Sequence, residues 1–271
     1  MTFHQFIYFT ELNSQYFFLK ILITMNNSEI GTPIFKIKNK AKNVDTIYVS
    51  PNSDDGEAEI ILKKNEHSQL IPSNKERDIL YITGASGSGK SFFALLYLKE
   101  YRLKYPKNDV YLISSLKEDE TLDKFKDLKR IVLDQDFLDE NFEIDDFKNS
   151  MIIFDDADCI QNKQMREKIS GLLTIILETG RHTRTSCIYT SHLPSKGMET
   201  KRILNESHSI TFFCAGLGAR ALKYLMESHL GLDKDQIRKI KRNKSRATTF
   251  VRSFPSLILY DKGAYLLNQE D

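Results

Sequence analysis

The sequence contains no tryptophan, three cysteines and six prolines in 271 residues, and its basic and acidic totals nearly cancel, leaving a net charge of +2. Each shortage excludes something. Cys159, Cys187 and Cys214 are odd in number, lack metal-ligand spacing and sit at or beside apolar runs. Neither a disulfide framework nor a zinc site is expected, but reduced, buried thiols in a cytosol-like compartment are. Without a charge excess, bulk electrostatics announces no nucleic-acid partner, and any such surface must be local. No stretch of about 20 apolar residues exists to span a membrane as a helix. The opening MTFHQFIYFTELNSQYFFLKILIT is aromatic, but His4, Gln5, Glu11, Asn13, Gln15 and Lys20 interrupt it. It also lacks the order of basic region, apolar run and small-residue cleavage site, so export is not expected. Met25 opens the more ordinary MNNSEIGTP; we expect translation to start there, with residues 1–24 an upstream extension.

Hydrophobic residues make up 41% of the chain, enough for one substantial core with a small appended subdomain. Residues 25–75 hold the strand-like runs IFKIK, TIYVS and AEIILKK around the turn-rich PNSDDGE, and predict a small N-terminal β-rich element. From Asp78 onward the apolar runs DILYIT, DVYLISS, RIVLD, SMIIFDD, SCIYTSH and SITFFC alternate with helical patterns. That alternation predicts an α/β fold over residues 76–271, a mainly parallel sheet between helices. Met165, Ile169, Leu172, Leu173 and Ile176 recur at helical spacing and read as core. The C-terminal part reads as two helices broken near Gly231, then strands with a hairpin turn at Asp261 to Gly263.

The chemistry starts at GASGSGKS, set between an apolar strand and a helical pattern. Its G-x-x-x-x-G-K-[ST] spacing is that of the phosphate-binding loop called Walker A. Gly84, Ala85, Ser86, Gly87, Ser88 and Gly89 turn backbone N–H groups toward phosphate oxygens. Lys90 supplies a charge to the β- and γ-phosphates, and Ser91 offers a hydroxyl to Mg²⁺. ATP and Mg²⁺ are therefore the expected cofactors. Downstream, MIIFDDAD is a hydrophobic strand ending in carboxylates, the Walker B pattern. Asp155 is placed to hold Mg²⁺ and Asp156 to polarise the attacking water, with Asp158 a weaker candidate. Lys90 and this carboxylate pair are expected to converge on one triphosphate at adjoining strand tips.

SCIYTSHLP ends another strand in polar residues. His192, with Ser191 second, is the candidate γ-phosphate sensor there, although a local hydrogen bond explains such a His equally well. Just before it, ETGRHTRTS carries Arg181 and Arg184. They read either as surface cations at a helix C-terminus or as an arginine finger reaching a neighbouring subunit's nucleotide. The D-x-x-G and N-K-x-D motifs of GTP switches are missing, and no arginine-rich lid of the kind small-molecule kinases use is obvious.

Taken in order, ILYITGASGSGKS, VYLISS, MIIFDDAD, LETGRHTRTSCIYTSHLP and ILNESHSITFFC resemble the FtsK/HerA superfamily of DNA-pumping ATPases. Within it, the chain looks most like the genome-packaging ATPases of large double-stranded DNA viruses, the poxvirus-type branch. The R-H-x-x-x-S run leading into the T-S-H strand end narrows the choice beyond Walker A. Two positions depart from the pattern: His192 stands where cellular relatives commonly carry Gln, and Asp156 where Glu is usual. The resemblance implies a RecA-like P-loop NTPase core acting as a homo-oligomeric ring around double-stranded DNA. It further implies sequence-independent grip, ATP hydrolysis that moves DNA into a preformed capsid, capsid or packaging proteins as partners, and the host cytoplasm or the virion as location. For the grip, Arg238, Lys239, Lys241, Arg242, Lys244 and Arg246 offer one local basic surface, or an ordinary solvated helix face. The rival functions are a nucleoside or nucleotide kinase and a weakly hydrolysing, nucleotide-gated assembly factor.

Overall fold

The computed structural model describes residues 32–39, 44–49, 59–72, 76–195, 197–253 and 255–267. The extension 1–24, the start at Met25 and the PNSDDGE turn lie outside them. Strands β1 (Thr32–Asn39), β2 (Val44–Val49), β3 (Glu59–Ile61) and β4 (Glu66–Leu70) come first. Only three of them form the small sheet, antiparallel in the order β2-β1-β4. The AEIILKK run splits from its expected neighbours: β3 joins the edge of the main sheet instead.

That ten-stranded sheet and its helices follow in chain order. They are β5 (Ile79–Thr83), α1 (Lys90–Lys104), β6 (Asp109–Ser114), β7 (Leu128–Val132), α2 (Gln135–Asp139), β8 (Ser150–Phe154), α3 (Lys163–Thr179) and β9 (Ser186–Ser191). Then come α4 (Gly197–Glu206), β10 (Ser209–Phe212), α5 (Ala219–Tyr224), α6 (Lys234–Arg242), β11 (Thr248–Val251), β12 (Leu257–Tyr260) and β13 (Gly263–Leu266). The spatial order is β3-β13-β12-β11-β10-β5-β9-β8-β6-β7. Strands β10, β5, β9, β8, β6 and β7 run parallel, while β11, β12, β13 and β3 extend the sheet antiparallel from β10. Every residue of β5, β8 and β9 is buried, which is why their centres, ILYI, MIIF and CIY, read as apolar runs rather than alternating ones.

The two faces hold separate cores. Leu80, Ile82, Leu112, Ile153 and Ile188 pack with Leu95, Leu98 and Tyr101 of α1 on one. On the other, Ile79, Tyr81, Ile152 and Tyr189 pack with the α3 stripe, in which Met165, Ile169, Leu172, Leu173 and Ile176 are all buried as their spacing predicts. Asn162 caps α3 by accepting from Met165 N, a contact of the kind worth ~1 kcal/mol. At its other end Arg77 donates to the carbonyls of Ile176 and Leu177 at 2.6 and 2.7 Å, tying the helix to the start of β5. After α5 the chain makes one wider turn over Leu225–His229 and breaks at Gly231, whose φ of 66° favours glycine. The small sheet is pinned to α1 by Lys36 and Lys38, both paired with Glu100.

Candidate nucleotide site

The parallel strands point their carboxyl ends the same way, and the sequence-predicted residues gather along that edge. Gly84 follows β5 and Lys90 opens α1. Between them the loop is shaped by Gly87 and Gly89, at φ 71° and 114°, which no ordinary side chain adopts without strain. A Cβ on Gly84 would stand 2.6 Å from Ser88 Oγ and 2.9 Å from Phe213 Cβ, so the loop closes tightly over that glycine. Ser88 Oγ is buried without a hydrogen-bond partner among the described residues. Lys90 is buried too; its Nζ donates to Gly84 O at 3.1 Å and lies 3.5 Å from Asp156 Oδ1. Ser91 is the next residue of the same first helical turn.

The sheet order corrects one expectation. β5 and β8 are not adjoining: β9 stands between them, so the end of β9 lies between the P-loop and the two carboxylates. Thr190 occupies that end and ties the carboxylates together. Its hydroxyl donates to Asp155 Oδ1 at 2.9 Å, lies 3.3 Å from Asp156 Oδ1, and accepts from Asp156 N at 2.9 Å. Asp156 turns out of β8 at φ 47°, a left-handed conformation that Asp adopts more readily than most residues. There its carboxylate meets Lys90 on one oxygen and His192 Nε2, at 2.9 Å, on the other.

Asp158 lies in the turn after β8, 2.8 Å from Ser191 Oγ, and it accepts from His192 N at 3.2 Å. Ser191 Oγ is also 2.7 Å from Leu193 O and is fully buried, so its contacts hold the strand end together while His192 is the residue that reaches the acidic pair. Burial, and next the charge of Asp156, push the Asp155 carboxyl up to about 6. A cation beside it relieves both effects. Among the described residues no group of three or more His, Cys, Asp or Glu forms a metal cage. A Mg²⁺ here therefore fits only with phosphate and water oxygens completing its shell, the usual arrangement for this ion. The Ser88 hydroxyl, unpartnered among the described residues, the positive-φ glycines and the buried Asp155 suit that combination.

Other predicted residues are not brought here. Arg181 and Arg184 precede the amino end of β9, on the sheet edge opposite the P-loop, where Arg181 Nε donates to Glu76 at 3.0 Å. Within one chain they therefore lie at the opposite end of the parallel strands from Lys90. The basic run is divided as well. Arg238 pairs with Asp235 at 2.6 Å, Lys239 lies 4.1 Å over the Tyr265 ring, and Arg246 reaches the P-loop. Lys241, Arg242 and Lys244 remain exposed. Thr190 and Arg246 were missed as site residues. Period-2 alternation was the available signal for Thr190, since it shares a strand face with His192; for Arg246 there was none.

A P-loop between a parallel strand and a helix, with one strand standing between it and an acidic strand end, defines a RecA-like P-loop NTPase. The chain belongs to the family of protein V3 of Sputnik virophage, to which it is 34% identical over 249 residues, 91% of this chain and 100% of that protein. No family model matches. Among solved structures, the DNA-packaging ATPase B204 from Sulfolobus turreted icosahedral virus aligns with a TM-score of 0.48 at 18% identity, over 69% of this chain and 98% of that one. The cytoplasmic domain of the Thermomonospora curvata type VII secretion ATPase EccC aligns with a TM-score of 0.49 at 11% identity, over 83% of this chain and 31% of that one. No helix among the described residues is long and apolar enough to cross a membrane.

Proposed function

We propose that the protein is a Mg²⁺-dependent ATPase that drives double-stranded DNA into a viral capsid as a homo-oligomeric ring. The observation that carries the ATPase reading is the meeting of Lys90, Asp156 and His192, with Asp155 tied in through Thr190, at the open edge beside the P-loop. Membership of a virophage protein family and the order of motifs, R-H-x-x-x-S into T-S-H included, support the viral packaging role.

In this reading the loop amides and Lys90 bind the β- and γ-phosphates. Ser91 and Asp155 hold Mg²⁺, which when bound neutralises phosphate charge. Asp156 orients the attacking water and accepts its proton, while His192 fixes the Asp156 carboxylate and reports on the γ-phosphate. Lys90 is shared between Gly84 O and Asp156, so phosphate oxygens compete for the same ammonium. Arg181 or Arg184 completes the site of the next subunit. Such a motor holds the DNA backbone, not the bases. Linear duplexes of unrelated sequence should therefore accelerate ATP hydrolysis alike, and added salt should diminish the effect. A phosphate-release rate indifferent to DNA contradicts translocation.

A further inference from the structure

Arg246 belongs by sequence to the basic run considered for DNA contact, but the fold sends it elsewhere. The chain bends at Lys244, φ 46°, and is clamped to the β12–β13 turn. Asp261 Oδ2 accepts from Arg246 N at 2.7 Å, and Asp261 N donates to Ser245 Oγ at 3.0 Å. From this fixed point the side chain lies across the P-loop. Its Nε donates to Ser88 O at 3.0 Å, and Nη2 is 3.2 Å from where a Cβ on Gly89 would stand.

Three features of that placement point the same way. No carboxylate among the described residues pairs with the guanidinium, which is exposed beside the half-buried Ser88 and Gly89. Among the described residues Nε alone is engaged, which leaves the terminal donors of a group whose fork matches phosphate oxygens. Finally, Nη2 stands over Gly89, the loop position whose missing Cβ lets the guanidinium lie directly against the phosphate-loop backbone.

We propose that Arg246 is a nucleotide ligand in cis, its terminal NH₂ groups contacting the phosphates of ATP held in its own subunit's P-loop from the Ser88–Gly89 side. The proposal rests on the reading of that loop as an ATP site. It also removes Arg246 from the DNA-facing set and gives the C-terminal hairpin a direct hold on the nucleotide.

Calorimetric titration of the full chain with ATPγS and with ADP, each with Mg²⁺, tests it. Arg246→Ala and Arg246→Gln should weaken ATPγS binding about tenfold or more, the range for a charge-assisted hydrogen bond, while Arg246→Lys, which keeps the charge without the fork, should bind more tightly than Gln and less tightly than wild type. Gln is the deciding variant, because it keeps a donor for Ser88 O without the charge. If Arg246 merely props the loop, Gln binds as wild type does and the proposal is overturned, as it is if Ala binds equally or more tightly. Should Arg246→Ala fail to fold, the comparison of Gln with Lys decides alone. Wild-type protein that binds neither nucleotide sinks the ATP-site reading, and this proposal with it; wild-type binding with unaffected variants sinks only the role of Arg246.

Discussion

Asp156 carries the most at the level of single residues. Its left-handed backbone lets one short carboxylate face Lys90 and His192 together, at 3.5 and 2.9 Å. Asn tolerates the same backbone but cannot accept a proton. Asp156→Asn should therefore keep ATP affinity within about threefold while single-turnover hydrolysis falls by roughly 10²–10⁴, the span for general-base loss. Rapid-quench measurement with an unchanged rate would move the base elsewhere. Thr190 works through its neighbours. Thr190→Val removes the donor from the buried Asp155 carboxylate, and denaturant titration should show a loss of about 1–3 kcal/mol. Hydrolysis should fall with it, because Asp155 and Asp156 are no longer held together, whereas a variant as stable and as active as wild type would make Thr190 a bystander.

Among the elements, the small sheet adds an ionic anchor on α1 to the core packing of Ile34, Phe35, Val49 and Leu70. Burial raises Glu100, but the hydrogen bonds and charges of Lys38 and Lys36 outweigh it and hold the carboxyl below its ordinary value of 4.5. A carboxylate depressed in the folded state stabilises the fold above its unfolded-state value and loses that contribution as pH falls through 4.5 and below. Thermal unfolding should show Glu100→Gln to be less stable than wild type at pH 7, by about 1–2 kcal/mol, with the difference shrinking below pH 4.5; a gap constant with pH contradicts the anchor. Strands buried on both faces were legible in the sequence, as was α3, because burial imposes apolar runs or a helical stripe. β4 was not: EHSQL has no apolar alternation and is a strand through its pairing with β1. The choice of β3 to pair with β13 was equally hidden, since partner selection depends on chain closure and not on local pattern. That Lys90, Asp155, Asp156 and His192 lie near one another was readable because motif order places Lys90 at the start of α1 and the other three at strand ends. Arg246 lies 158 residues from the loop it touches, and nothing local announces it.

For the molecule as a whole, the position of the arginines decides whether one chain can act alone. Arg181 sits on the edge away from its own P-loop, exposed and paired with Glu76, so any contribution to hydrolysis comes from assembly. Lys90→Ala and Arg181→Ala proteins, each inactive alone, should regain part of the ATPase rate when mixed, since some interfaces then combine an intact P-loop with an intact finger; Arg184→Ala in place of Arg181→Ala identifies which of the two acts. Absence of rescue with either arginine removes the finger. The central claim is that triphosphate cleavage at this edge moves duplex DNA. Displacement of a third strand from triplex DNA measures that movement directly. The account predicts ATP-dependent release by the wild-type protein and none by Lys90→Ala or Asp156→Asn, and it is contradicted if the third strand stays bound while ATP is consumed, or leaves equally well without ATP.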